Sequence, residues 1–428
     1  MNKPRDHARP DPVRPDPARL ATLRLLAGVE EGATLDEAAE ALERLAPPDR
    51  ARARRLALEV LRRITPADAV LAPLIARRPK PEIRRILRLA TVEMLALGEA
   101  PHGVVNAAVG LCRASGGKGQ AAAGMVNAVL RKIAGAAAAW ADAPVQPMPG
   151  WLRAPVVATW GEATARAIEE AHESGAATDL TPRAGFAPEM PGEALPTGSW
   201  RLPPGSQISA LPGYAAGAWW VQDAAAALAV RVLDPRPGER IADLCAAPGG
   251  KTLQLAAAGA EVTALDISEH RLARVAENLA RCGLSARLVV GDALDWRPDQ
   301  PLDAVLLDAP CSATGTIRRH PELPLIRDGG QIAELADLQA RLIDHALGLL
   351  KPGGRLVYAT CSLLPAEGED QLAAALARHP GLVAEPPQAP GIQPEWITRE
   401  GGLRLRPDLW PERGGMDGFF IARLRKLS

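Results

Sequence analysis

The chain has 428 residues, 47% of them hydrophobic and 23% charged, and its 50 Lys/Arg are balanced by 50 Asp/Glu. At roughly 100–200 residues per domain it holds two or three folded domains. Such a composition excludes a disordered tail, a collagen and a disulfide mini-scaffold.

Residues 1–17 alternate Pro, Arg and Asp and read as a disordered lead. No apolar segment follows them, so they do not read as a secretory signal. Residues 18–140 read as an all-helical domain. Leu20, Leu23 and Leu26 share one helical face, Leu56, Val60 and Ile64 repeat it, and Ile86, Leu89 and Val92 do so again. Pro47-Pro48, Pro79 and Gly116-Gly117 separate these runs. The first 140 residues carry 23 Lys/Arg against 15 Asp/Glu, a surplus of 8 that the remainder cancels. Such an asymmetry fits nucleic-acid binding at one end or a solvated Arg-rich surface, and charge alone leaves both open. Residues 141–220 read as a linker and a small α+β subdomain with a helix near Glu162–Ser174.

From residue 221 to 428 the period changes. Short apolar runs at Ile241–Leu244, Glu261–Leu265, Ala286–Val290, Ala304–Leu307 and Arg355–Tyr358 alternate with helix-compatible sequence. The pattern predicts α/β, a doubly wound Rossmann-like parallel sheet, with Phe419–Ala422 as an antiparallel last strand. The turn after the first strand reads Cys245-Ala246-Ala247-Pro248-Gly249-Gly250-Lys251. Ligands of such sheets bind beyond the carboxyl ends of the strands. The turn is neither GxGxxG nor a P-loop. Asp266 ends the second strand, where a carboxylate can hold ribose hydroxyls. Asp292 follows the third, where it meets an adenine edge or caps a helix. A nucleoside cofactor without a diphosphate follows, and S-adenosylmethionine fits.

The five cysteines are scattered, show no CxxC spacing, and argue against a metal site and against a secreted disulfide framework. Cys112 and Cys282 read as inert helical thiols and Cys245 as packing in the turn. Cys311 and Cys361 each follow a strand of the same sheet, beside the methyl donor. Carbon 5 of a pyrimidine is a poor nucleophile. A thiolate adding to carbon 6 makes it enamine-like, and Asp308 is placed to meet N3 of the ring. A second group, Cys311 or a water it positions, assists removal of the carbon-5 proton. Arg318 and Arg319 follow the Cys311 loop as candidates for RNA phosphate or base contact. A surface salt bridge is the alternative.

The segments Asp243–Thr252, Leu307–Pro321 and Tyr358–Ser362 resemble the motifs of the Sun-type RNA cytosine-C5 methyltransferases, and the likeness runs from about Leu211 to the C-terminus. The order of modules resembles the branch that methylates 16S ribosomal RNA. Pro101–Asn106 and Val126–Leu130 are similar to the RNA-binding NusB fold. The resemblance implies Cys361 as nucleophile, Cys311 for product release, and cofactor contacts from Cys245 to Lys251, Asp266, Asp292 and Asp308. Two segments depart from the family pattern, Ala366-Glu367-Gly368-Glu369 and Leu180-Thr181-Pro182-Arg183, and bear on substrate contacts. The resulting expectation is a cytoplasmic monomer that uses S-adenosylmethionine and RNA, with no metal and no membrane. Its competitor is a non-catalytic RNA-binding or ribosome assembly factor, against which intact Asp308, Cys311 and Cys361 speak.

Overall fold

The computed structural model describes residues 16–40 and 42–427. The expected disordered lead falls outside them except for Asp16 and Pro17. The chain separates into two compact units, one of residues 1–147 with 320–326, the other of residues 148–319 with 327–428.

The first unit is helical. Its longer helices are Pro17–Glu30, Pro47–Arg62, Pro81–Leu95, Pro101–Ala114 and Gly117–Ile133. Four of the five begin on proline, whose missing N–H costs nothing in a first turn. The first helix starts one residue before the expected boundary, because the Asp16 carboxylate caps the N–H groups of Ala18 and Arg19. The breakers that separate the apolar runs therefore act as starts as well as stops. Leu25, Leu56, Val60, Leu89 and Val92 share one core, and Ile86, Leu87, Leu111, Val126 and Leu130 another. Ile64 departs from its expected stripe: Arg63 leaves helical geometry at φ −128°, and Ile64 opens the next short helix, Ile64–Leu71.

The second unit opens with a helix, Gly150–Ser174, in two pieces joined at Gly161 (φ 83°). The expected helix near Glu162–Ser174 is its second piece. A small antiparallel sheet follows, built from β1 (Thr178–Pro182), β2 (Glu193–Ala194), β3 (Trp200–Leu202) and β4 (Trp219–Val221) in the order β2-β3-β1-β4. Leu180, Met190, Leu202 and Trp219 form its core.

The main sheet holds β5 (Arg240–Leu244), β6 (Glu261–Asp266), β7 (Arg287–Val290), β8 (Leu302–Asp308), β9 (Leu350–Thr360), β10 (Leu382–Glu385), β11 (Leu403–Leu405) and β12 (Phe419–Lys426). Its order is β10-β12-β9-β8-β5-β6-β7, with β11 also on β12. Strands β5 to β9 pair in parallel, and β12 runs antiparallel to β9 as the apolar pattern predicts. Separate apolar cores cover the two faces, which is why these strands read as near-continuous hydrophobic runs. The chain order reverses between β5 and β8, so the ligand crevice of this sheet opens at the ends of those two strands. Among the described residues no helix is long and apolar enough to cross a membrane.

Candidate active site

The turn after β5 is shaped by backbone need. Cys245 sits at φ 63° and Gly249 at φ 101°. A Cβ on Gly249 would also meet Val275 Cγ1 at 2.9 Å, so a side chain is excluded twice over. Asp266, 2% exposed at the end of β6, accepts from Ala247 N–H (3.1 Å) through one oxygen and from Ser268 N–H (3.0 Å) through the other. It thereby ties the turn to the second strand. Asp292 is exposed and accepts from Leu294 N–H at 2.8 Å, the local capping geometry that its sequence position also allowed.

Asp243 is fully buried, and its Oδ2 accepts from Thr252 Oγ1 at 2.6 Å. Burial pushes its carboxyl up to about 7, against the pull of Thr252. Its Oδ1 has no hydrogen-bond partner among the described residues. A buried acceptor without a donor is costly, and it gives a cationic or N–H-bearing ligand something to satisfy. Together with the close-approach glycine and the strand-end Asp266, this unsatisfied acceptor on β5 fits S-adenosylmethionine.

Asp308 ends β8 and accepts from Lys251 Nζ at 2.7 Å. Burial opposes the charge on Lys251. Asp308, Asp243 and the thiol of Cys361 outweigh it and hold the amine above its usual range. Cys361 follows β9 and Cys311 follows β8, and because those strands are neighbours their sulfurs lie 3.4 Å apart, both free. Cys361, Asp308, Lys251 and Phe419 line a cavity of about 430 Å³ with Gln222, Asp223 and Arg319. Cys112 and Cys282 are buried on helices and do not line this cavity, and burial pushes Cys112 up to about 11. Cys245, in the turn, is pushed up to about 12, chiefly by burial.

The two arginines depart from the expected exposed RNA contact. Arg318 is fully buried and donates to Gly414 O at 2.9 Å. Arg319 spans two buried carboxylates, donating to Asp417 Oδ2 at 2.8 Å and Asp223 Oδ2 at 2.5 Å. Burial, with Asp223 beside it, pushes Asp417 up to about 6. Arg318 is thus a wall of the fold, and Arg319 reaches the cavity only as a paired cation. Their carboxylate partners lie roughly a hundred residues away on either side, so no local pattern signals the pairing.

Other residues of the site carried no assignment from the sequence. Phe419 sits under Lys251, 5.3 Å from Nζ to the ring centre. Gln222 lines the cavity and accepts from Thr181 Oγ1 (2.9 Å), so the departing Leu180–Arg183 segment holds a cavity residue. Gly368, the other departure, has no room for a side chain: a Cβ would meet Arg404 Nη2 at 2.4 Å and Phe420 Cγ at 2.8 Å.

Comparison with known proteins agrees with this geometry. Residues 230–425 match the family described as 16S rRNA methyltransferase RsmB/F, and residues 16–135 match the NusB family. The chain is 37% identical to ribosomal RNA small subunit methyltransferase B of Xylella fastidiosa strain Temecula1, covering 95% of this chain and 97% of the relative. Among solved structures, PH0851 superposes with a TM-score of 0.70 at 23% identity over 96% of this chain and 99% of that one, a likeness of fold. A methyltransferase homolog from Pyrococcus horikoshii is 30% identical over 64% of this chain and 94% of that one, with a TM-score of 0.53. The chain belongs to the ribosomal RNA small subunit methyltransferase B family and carries a NusB-family region ahead of its catalytic sheet.

Proposed function

We infer that this chain transfers a methyl group from S-adenosylmethionine to carbon 5 of a cytosine in 16S ribosomal RNA. The observation that carries the reading is the pair of free thiols 3.4 Å apart at the ends of β8 and β9, one of which, Cys361, lines a cavity with Asp308 and Lys251. An assembly factor without chemistry has no use for that constellation. Bisulfite sequencing of 16S RNA from a strain lacking the gene should show one protected cytosine become reactive. An unchanged pattern overturns the reading.

The turn from Cys245 to Lys251, with Asp266, Asp292 and Asp308, would hold S-adenosylmethionine, which supplies an electrophilic methyl group. Cys361 adds to carbon 6 of the cytosine, and the ring electrons move toward carbon 5 and N3. Asp308, with one oxygen on Lys251, faces the proton that N3 acquires. After carbon 5 is methylated, its proton passes to a water that Cys311 positions, and Cys361 is expelled as the thiolate. Arg319 keeps a secondary part, steadying the wall against which the base lies.

The helical unit takes the RNA-docking role, supported by its charge surplus and its NusB-family match. Phosphate contacts make such docking weaken as salt rises. The protein acts as a cytoplasmic monomer. Asp266→Ala removes a charged acceptor from the ribose and a tether from the turn, about 1.5–3 kcal/mol. Calorimetry should therefore show S-adenosylmethionine binding weakened about tenfold or more. Unchanged affinity removes Asp266 from the cofactor site.

A further inference from the structure

Glu367 is fully buried at the short turn after the Cys361 loop. One carboxylate oxygen accepts from Ser312 N–H (2.9 Å) and Gln339 Nε2 (3.1 Å). The other accepts from Ser362 Oγ (2.6 Å) and from Ser312 Oγ. Ser312 follows Cys311 and Ser362 follows Cys361, so a single side chain bridges the two loops that carry the thiols. Its backbone carbonyl accepts from Tyr358 Oη (2.7 Å) and Thr360 Oγ1 (2.9 Å), which anchors the turn to the end of β9. Gln339 also donates to Pro310 O at 2.8 Å, on the other side of Cys311.

The carboxylate makes no ion pair among the described residues. The nearby cations serve other groups. Arg327 donates to Ser312 O, Arg404 donates to Ser362 O and pairs with Glu369, and Lys251 pairs with Asp308. Four neutral donors thus hold the carboxylate, one residue from Cys311 on one loop and one residue from Cys361 on the other. We propose that Glu367 is a positioning residue of the reaction. It holds the two thiol loops in register, and, gripped by both the N–H and the Oγ of Ser312, its carboxylate disfavours a thiolate at Cys311. Cys311 then donates its S–H to the Cys361 sulfur. The electrostatics agree in direction: the hydrogen bond to Cys361, burial, and the charges of Cys361 and Glu367 all push Cys311 well above the usual thiol range. Tyr358, the other ionisable group packed there, is pushed up by burial and by Cys311 and Glu367, so it stays neutral.

Replacement by Gln separates charge from position. The amide oxygen can keep the two N–H donors, and the amide nitrogen can donate to the two hydroxyls, which rotate to accept. Glu367→Gln therefore keeps the bridge and removes the charge. Glu367→Ala removes both.

The proposal rests on the covalent reading above, and its test is made independent of RNA. The full chain is alkylated with iodoacetamide across the thiol titration range, and peptides bearing Cys311 and Cys361 are quantified by mass spectrometry. In the wild type Cys361 should react first. In Glu367→Gln the alkylation of Cys311 should rise about tenfold or more at mildly alkaline pH, as expected for a downward shift of about one unit. Unchanged Cys311 reactivity across the range overturns the proposal. With an unmodified 16S RNA transcript, Glu367→Ala should lose methylation about 100-fold while S-adenosylmethionine affinity holds. Full activity in that variant overturns the positioning role, and if it does not fold the Gln variant decides alone. If Cys361 is alkylated first in the wild type yet Cys311→Ala retains no RNA adduct, the covalent reading fails and the assignment of Glu367 stands.

Discussion

Cys361→Ala will form no covalent complex with RNA and will methylate none, whereas Cys311→Ala will attack, methylate and then remain attached. The sulfurs are 3.4 Å apart, so either could reach a base in the cavity, and proximity alone does not separate them. Their surroundings do. Cys361 lines the cavity with Lys251 and Asp308, while Cys311 sits behind it, against the loop that Glu367 grips. A thiolate needs positive or hydrogen-bonding company, and Lys251 lines the cavity with Cys361 and not with Cys311. Loss of the group that serves elimination should slow release about 100-fold or more, in the usual range for a lost proton-transfer partner. A denaturing gel with labelled RNA reads both outcomes, with the double mutant as the blank. An adduct that accumulates in Cys361→Ala and vanishes in Cys311→Ala reverses the roles. Methylation unimpaired in both single mutants discards the covalent mechanism.

Much of this site is legible in the sequence because its parts are local. The turn from Cys245 to Lys251 follows a strand and precedes a helix, so its Gly-Gly pair announces close approach. Asp266 and Asp308 end apolar runs, and a strand-end carboxylate in a parallel sheet points to the ligand edge. The alternation of strand and helix, together with the near-continuous apolar character of β5, β8 and the second half of β9, is enough for a doubly wound sheet.

Pairings between distant segments are not legible. That Cys311 and Cys361 touch follows from β8 lying beside β9, a strand order that periodicity does not contain. Arg318 and Arg319 look like exposed basic residues in isolation. Only the fold brings Asp223 and Asp417 to them, so that Arg319 enters the cavity already paired with two carboxylates. Glu367 reads as one acid among several in Ala366–Asp370. Its function comes from four donors on three other segments. The small sheet β1–β4 escaped detail because its strands span two to five residues and owe their pairing to Trp200 and Trp219 packing rather than to alternation.

Gly315→Ala should cost much of the activity. Gly315 lies in the loop after Cys311. Its N–H donates to Cys361 O at 2.9 Å, and its carbonyl accepts from Gly418 N–H at 2.8 Å. A Cβ there would stand 2.0 Å from Gly418 O, 2.6 Å from Gly418 C and 2.8 Å from Gly418 Cα. All three are backbone atoms, so no side chain can swing aside. The segment after Gly418 is β12, which pairs along β9 from Phe420 to Arg425 and cannot retreat without breaking that ladder. The loop must move instead, and it carries the hydrogen bond that fixes the Cys361 carbonyl. Overpacking of this kind costs about 1–3 kcal/mol, and a shift of about 1 Å at a reacting group costs about 100-fold in rate. The variant should therefore fold with a lowered melting temperature, bind S-adenosylmethionine as before, and methylate about 100-fold more slowly. Gly348→Ala is the matched control. It adds the same methyl group to an exposed helical position with nothing within 4 Å, and should be neutral or stabilising by about 0.5–1 kcal/mol. Wild-type turnover in Gly315→Ala would mean that the two loops are not held in contact during the reaction, and that the thiol pair is set by the strands alone.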